Sequence, residues 1–267
     1  MCRDCGCGLG GEDVKIGGHS HGHDHHHGHG HGDHSHPPAQ TVSLNRSLLE
    51  KNDRLADRNR GFFRANKLLV LNVVSSPGSG KTTFIYETAL KLSGKLRLGV
   101  IVGDLATDND AARLRKAGIP VVQITTGTVC HLDAEMVSKA ASQLDLDKLD
   151  VLVIENVGNL VCPADYDLGE DLRVVLLSTT EGEDKPLKYP PMFHSANVAV
   201  VTKTDLATAT GFNRDQALAN VKRVSHHAEV FELSARTGDG MKGWVEFLAR
   251  QREIASKQQA TGAEVPG

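Results

Sequence analysis

The chain is short of several things that would point elsewhere. No apolar stretch exceeds the length of a strand, whereas a membrane-spanning helix needs roughly 18–20 consecutive apolar residues. The beginning of the chain carries cysteines instead of a basic segment running into an apolar one, so no secretory signal is expected. The formal net charge is −3 with acids and bases interspersed. With no basic stripe and no interleaving of aromatic with basic residues, nucleic acid is not an expected partner, and without a basic amphipathic helix neither is a membrane surface. There are only five cysteines, an odd number, and three fall within the first seven residues. That count suits metal-binding thiolates in a reduced, cytoplasmic protein better than a disulfide framework.

What is present falls into three parts. Residues 1–40 are a tail rich in Cys, Gly and His that cannot bury apolar surface and is expected to be disordered, closed by Pro37-Pro38. Residues 41–255 are long enough for one α/β domain, and residues 256–267 read as a polar, frayed end. From Thr41 to about Asn66, Leu44, Leu48, Leu49, Leu55, Phe62 and Phe63 recur at spacings of an amphipathic helix. Val- and Ile-rich runs follow at 68–74, 98–102, 121–125, 151–154, 174–177, 198–202 and 230–233. Helical stretches separate most of them, at 82–92, 108–116, 132–144, 214–226 and 241–254. Apolar runs without polar alternation predict strands buried on both faces of a mostly parallel central sheet flanked by helices. Functional groups in such a fold gather where the strands end.

Pro77-Gly78-Ser79-Gly80-Lys81-Thr82-Thr83 follows the first run and opens a helix. A glycine-rich turn wraps phosphate with backbone amides, the lysine reaches the outer phosphate oxygens, and the hydroxyl meets Mg²⁺: a P-loop. Ser75 stands where the strict pattern has its first glycine. Asp104 and Glu155 end two further strands and are placed to reach the same Mg²⁺, a hard ion that takes oxygen ligands. Thr202-Lys203-Thr204-Asp205 resembles the guanine-reading signature of GTPases, and Ser234-Ala235-Arg236 follows the last strand, where GTPases place a loop meeting guanine O6. One carboxylate accepts from guanine N1–H and N2–H₂ together but would be left unpaired by adenine, which predicts GTP over ATP. Lys203 is expected along the base face. No glutamine or arginine stands out as the group that orients water, so intrinsic turnover on the order of 10⁻⁴–10⁻² per second is expected.

Three regions carry metal-ligand chemistry. Cys2, Cys5 and Cys7 put three thiolates within reach of one ion, with the amino terminus as a fourth ligand. Mixed S and N donors in a flexible segment suit square-planar Ni²⁺, and Zn²⁺ or copper would also bind. The tract of His19, His21, His23, His25, His26, His27, His29, His31, His34 and His36 reads as a weak, exchangeable store. Cys130-His131 and Cys162 lie in loops expected on the rim that holds the nucleotide, and form a thiolate–imidazole set.

With Gly78-Ser79-Gly80-Lys81-Thr82, the runs Gly103-Asp104-Leu105-Ala106-Thr107-Asp108, Gly127-Thr128-Val129-Cys130-His131-Leu132 and Glu155-Asn156-Val157-Gly158-Asn159-Leu160-Val161-Cys162-Pro163 resemble the HypB family of hydrogenase nickel-incorporation GTPases. The resemblance runs from about residue 41 to 255. It implies a P-loop domain of the dimerising class that forms a homodimer around nucleotide and metal. It also implies nickel delivery to the precursor of the [NiFe]-hydrogenase large subunit, alongside a small zinc-containing partner, HypA. Carried over by motif, Cys130, His131 and Cys162 become metal ligands of the GTPase domain, and Cys2, Cys5 and Cys7 nickel ligands of the tail. Some relatives have a further histidine one turn beyond the Cys-His pair, where this chain has Glu135. A sister metal-delivery GTPase, serving urease or a zinc enzyme, would carry Cys-Pro-His or Cys-x-x-Cys near the corresponding strand; Cys162-Pro163-Ala164 lacks that histidine. A nickel buffer, in which the tail carries the biology, is the rival of a different class.

Overall fold

The computed structural model describes residues 39–261, with side chains described from 46 to 257. Cys2, Cys5, Cys7 and the His19–His36 tract lie outside the described residues. Helix α1 (Ala39–Ala65) leads into strand β1 (Leu69–Ser75) and α2 (Lys81–Leu92); β2 (Leu98–Asp104), α3 (Asn109–Lys116), β3 (Val121–Thr125) and α4 (Ala134–Ala141) follow. Next come β4 (Val151–Glu155), β5 (Leu172–Ser178), the short helices α5 (Lys185–Lys188) and α6 (Pro190–His194), and β6 (Val198–Thr202). The chain continues through α7 (Ala207–Thr210), α8 (Arg214–Val224), β7 (Glu229–Glu232) and α9 (Met241–Thr261). Among the described residues no helix is long and apolar enough to cross a membrane.

The seven strands form one sheet in the order β3-β2-β4-β1-β5-β6-β7, and every pairing is parallel. Parallel neighbours need crossovers and bury both faces, which is why β4 and β6 read as apolar runs and β1 as one interrupted only by Asn72. Alternate residues of β1 serve opposite layers. Leu69, Leu71 and Val73 pack with Phe84 and Leu92 of α2 and Trp244 and Leu248 of α9. Val70 faces Phe63 of α1 and Val137 and Ala141 of α4, while Val74 joins Met192 and Phe193 of α6 and Val221 of α8. The indole N–H of buried Trp244 donates to Thr88 Oγ1 at 3.0 Å, so the largest core side chain carries no unmet donor.

Two elements depart from their sequence reading. The docked face of α1 is Asn52, Ala56, Asn59 and Phe63, all buried, whereas Leu48 and Phe62 are 49 and 47 % exposed. Polar bonds explain the choice. Asn52 Nδ2 donates to Asp167 O at 2.8 Å and its Oδ1 accepts from Ala134 N at 2.9 Å; Asn59 Nδ2 donates to Ala134 O at 2.8 Å. Two asparagines thereby satisfy backbone groups of the loops that α1 covers. The second departure is α9, which continues past Ser256 to Thr261, with Glu253–Lys257 paired at 2.7 Å one turn apart.

Close approach is enforced at Gly169, whose φ is +88° and whose added Cβ would meet Ala56 O at 2.6 Å. Gly169→Ala should therefore destabilise the fold by about 2–4 kcal/mol through backbone strain and overpacking against α1. Urea unfolding checks this; an unchanged midpoint would mean that α1 yields without cost.

Candidate nucleotide and metal sites

The ends of β1, β2 and β4 converge on a cavity of about 410 Å³ lined by the P-loop, Asp104, Asp110, Arg113 and Glu155 to Gly158. The turn after β1 requires glycine at Gly78 and Gly80, with φ of +75° and +95°. A Cβ at Gly80 would lie 3.7 Å from Lys203 Cε. Pro77, Gly78, Gly80, Lys81, Thr82 and Thr83 line this cavity, and Ser79 faces the neighbouring one. Ser75 turns its hydroxyl to local use: its Oγ accepts from Lys81 Nζ at 2.9 Å and from Ser79 Oγ at 2.5 Å. Helix α2 begins at Lys81, so its free amides and positive dipole end face the cavity.

The electrostatics are those of a site made for a polyanion and a cation. Burial pushes the Lys81 ammonium down from its ordinary value, with Glu155 the largest opposing charge. Glu155 is 3 % exposed; its Oε1 accepts from Thr82 Oγ1 at 2.7 Å and its Oε2 has no partner. Burial raises its carboxyl to about 7, against the pull of Thr82 and Lys81. Burial also works to raise Asp104, but hydrogen bonds from the Thr107 and Ala106 amides, both 2.9 Å to Oδ1, outweigh it and hold that carboxyl below its usual value. An orphaned carboxylate oxygen beside a threonine hydroxyl and a second acid fits a hard divalent cation.

The sequence reading missed two residues here. Asp110 and Arg113 were not singled out there as site residues. Both lie on the α3 face turned to the cavity, with Ala111 and Leu114 buried on the other side. Arg113 Nη1 donates to Thr83 Oγ1 at 2.9 Å, and its guanidinium lies 5.1 Å from the centre of the Tyr86 ring. The three-residue spacing of Asp110 and Arg113, which puts both on one helix face, was the available signal.

A second cavity of about 260 Å³ continues the first between Phe84, Lys203, Asp205, Ser234, Ala235 and Arg236. Lys203 adopts φ +58° and donates from Nζ to Gly78 O at 2.7 Å, tying this corner to the P-loop; Thr202 Oγ1 does the same to Ser79 O at 3.0 Å. Asp205 Oδ1 accepts from Ser234 Oγ at 2.6 Å, and Arg236 Nε stands 3.9 Å from Oδ2. The carboxylate is thus oriented at the wall of this cavity.

The loops after β3 and β4 bring Cys130, His131 and Cys162 together. Their donor atoms all lie within 4.8 Å of one another, the one such set among the described residues, and the sulfurs are 2.9 Å apart. His131 is buried, packed against Tyr166 with ring centres 4.0 Å apart at a 33° tilt, and its Nδ1 has no partner. Burial pushes its pKa down, with Asp133 opposing, so the ring is kept in the neutral form that ligates metal. Glu135 is engaged elsewhere, with Lys139 at 2.8 Å and Lys51 at 3.2 Å. The segment beginning at Glu155 links the two sites. Asn156 Oδ1 accepts from Leu132 N at 3.3 Å, Asn159 Nδ2 donates to Cys130 O at 3.2 Å, and Cys162 closes the segment. At Gly158 an added Cβ would come within 3.1 Å of Pro77 Cα, so this loop packs directly on the phosphate turn.

A parallel α/β sheet with this phosphate turn and base corner defines a P-loop, GTP-hydrolysing enzyme, and residues 69–232 match the nucleotide-binding domain shared by CobW, HypB and UreG. The chain is 51 % identical to hydrogenase maturation factor HypB of Escherichia coli K12 over 77 % of its own length and 71 % of that protein, and 50 % identical to HypB of Azotobacter vinelandii over 82 and 73 %. Among solved structures, HypB from Helicobacter pylori in complex with nickel superposes with a TM-score of 0.74 at 40 % identity, covering 76 % of this chain and 96 % of that one. HypB from Archaeoglobus fulgidus gives 0.71 at 38 %, covering 77 and 99 %. The chain belongs to the HypB family of hydrogenase maturation factors.

Proposed function

We propose that this GTPase carries nickel and delivers it during [NiFe]-hydrogenase maturation, with GTP turnover deciding when Cys130, His131 and Cys162 hold or release the ion. The observation that carries this reading is the segment from Glu155 to Cys162: one end supplies a carboxylate to the phosphate cavity and the other a thiol to the metal set. The P-loop amides and the start of α2 bind the phosphates, Lys81 meets the outer oxygens, and Asp205 with Ser234 to Arg236 reads guanine. Thr82, Glu155 and Asp104 would hold Mg²⁺, which neutralises charge on the phosphate oxygens when bound. Arg113, anchored on Thr83, stands ready to share that task. A shift of the Asp104 or Glu155 loop on a change of nucleotide moves Cys162 relative to Cys130. Nickel is the cargo, and Zn²⁺ competes for the same thiolates. Cys2, Cys5 and Cys7 or the histidine tract would hold nickel and pass it to the set of Cys130, His131 and Cys162. A homodimer, a HypA-type zinc protein and the hydrogenase large-subunit precursor, all in the cytoplasm, complete the cycle.

Nickel must then bind with different affinity in the two nucleotide states, and the reverse effect on GTP must be equal. Nickel titration of the full chain and of Cys162→Ala, with GDP and with a non-hydrolysable GTP analogue, tests this. The Cys162-dependent affinity should differ by about fivefold or more between nucleotides. Equal affinities would end the delivery mechanism.

A further inference from the structure

Away from the nucleotide rim, the far end of the sheet carries histidines that none of the above uses. His194 closes α6 just before β6, and His226 and His227 follow α8 just before β7, so all three precede strands whose other ends carry Lys203 and Ser234. Their rings meet across the sequence. His194 and His227 have centroids 5.8 Å apart at an 88° interplanar angle, and His226 and His227 are 5.6 Å apart at 85°. All three side chains are exposed. With metal–nitrogen bonds of about 2.0–2.1 Å and a ring radius of about 1.1 Å, two imidazoles sharing one ion have centroids roughly 4.5–5.5 Å apart. The two observed separations are wider, and the donor atoms of the three rings do not converge as they stand; ligation requires the exposed rings to turn about their broad terminal torsions.

One ring is already oriented for ligation. His194 Nδ1 lies 3.3 Å from Val224 O; a proton donated there fixes the tautomer and leaves Nε2 free to ligate, the outer-shell arrangement typical of metal-binding histidines. His227 Nε2 is 3.5 Å from Ser225 Oγ, which leaves Nδ1 for an ion. The adjoining chain carries Lys222, Arg223 and Glu229, so an ion here would be held by nitrogen donors and not by a surplus of negative charge. A borderline, imidazole-preferring ion is the matching chemistry.

We propose that His194, His226 and His227 form an additional site for a single divalent transition ion, Ni²⁺ or Zn²⁺, held exchangeably at the end of the sheet opposite the nucleotide. It is separate from the Cys130–His131–Cys162 set, from which the length of the strands divides it. Nucleotide state does not reach it. The chain therefore holds an ion whose affinity GTP controls and another that it does not.

The test is residue-resolved histidine modification by diethyl pyrocarbonate on the full chain, read by mass spectrometry across a titration with nickel chloride, then zinc chloride, carried to excess. His194, His226 and His227 should become protected together, at one midpoint that is the same with GDP and with a GTP analogue. His194→Gln keeps a hydrogen-bonding side chain beside Val224 O but removes the ring. It should raise the midpoint for protecting His226 and His227 by about tenfold or more and leave GTP turnover unchanged. Protection of His226 and His227 that ignores this substitution would show independent exposed rings, and no protection at excess metal would show no site. Either result overturns the proposal, as does a midpoint that follows the nucleotide. Unchanged circular dichroism and GTP turnover in the variant establish that the fold is intact.

Discussion

Asp205→Asn is expected to lower GTP affinity by about 10²–10⁴-fold and to raise affinity for xanthosine triphosphate. As the proposed guanine reader, the carboxylate would accept from both N1–H and N2–H₂, and an amide offers one acceptor and one donor in their place. Guanine then leaves a buried donor facing a donor, the costlier side of hydrogen-bond accounting. Xanthine carries an oxygen at C2 and restores the match. The fold should survive, because the hydroxyl of Ser234 that now donates to Asp205 Oδ1 at 2.6 Å finds an equivalent oxygen on Asn. Arg236, 3.9 Å from Oδ2, loses only a loose and largely exposed ion pair, worth little by itself. Displacement titrations with fluorescent guanine and xanthine nucleotides measure both affinities. GTP binding unchanged by the substitution would remove Asp205 from base recognition.

Much of the architecture was legible because parallel strands advertise themselves. Val121–Thr125 and Val198–Thr202 are strands at the bounds their apolar runs predicted, and the others shift by a few residues at most. A strand buried throughout, such as Val198–Thr202, has little freedom to be anything but apolar; the edge strands Val121–Thr125 and Glu229–Glu232 are only partly covered, against the expectation of burial on both faces. Strand ends carry the chemistry in this fold class, so Lys81, Asp104, Glu155 and Asp205 could be named from their place after apolar runs. Cys130 and Cys162 could be paired because their loops leave the same rim of one sheet, after β3 and β4, with only β2 between those strands. What could not be read depends on contacts across the sequence. The buried face of α1 was expected to follow leucine and phenylalanine, but Asn52 and Asn59 are drawn inward by the backbone of Ala134, Asp167 and Leu168. Nothing local distinguishes those amides from surface ones. Arg113 escaped for the same reason: its partners, Thr83 and Tyr86, sit on another helix. The packing of Tyr166 against His131 likewise exists only once both loops are folded.

Glu155→Gln should do two opposite things, and their combination identifies what this side chain is for. A carboxyl raised from 4.5 to about 7 is more readily protonated in the folded chain than in the unfolded one. Its burial therefore costs little below pH 4.5; the penalty grows as pH climbs from 4.5 to about 7, where the unfolded chain is ionised and the folded one is not, and is fully present above 7. Glutamine never ionises, so the variant should be the more stable protein at pH 8, by up to about 3 kcal/mol, and the difference should fade as pH falls toward 5. Two features set the size of the gain. Glutamine Oε1 can still accept from Thr82, preserving the 2.7 Å bond, and the attraction of Lys81 that is lost with the charge is already counted in the net rise to about 7. Function should move the other way. Without an anionic oxygen where Oε2 now stands unpartnered, Mg²⁺ is held less well beside the phosphates, and GTP turnover should fall roughly a hundredfold or more. Thermal melts of the nucleotide-free protein at pH 5, 6, 7 and 8, set beside phosphate-release rates at matched magnesium, read both effects. A variant that is no more stable at pH 8 would show that Glu155 is not held against its own ionisation. Wild-type turnover would show that its strain serves something other than the metal. If both changes appear, the folded chain tolerates a destabilising buried acid because the cation bound during turnover needs it ionised.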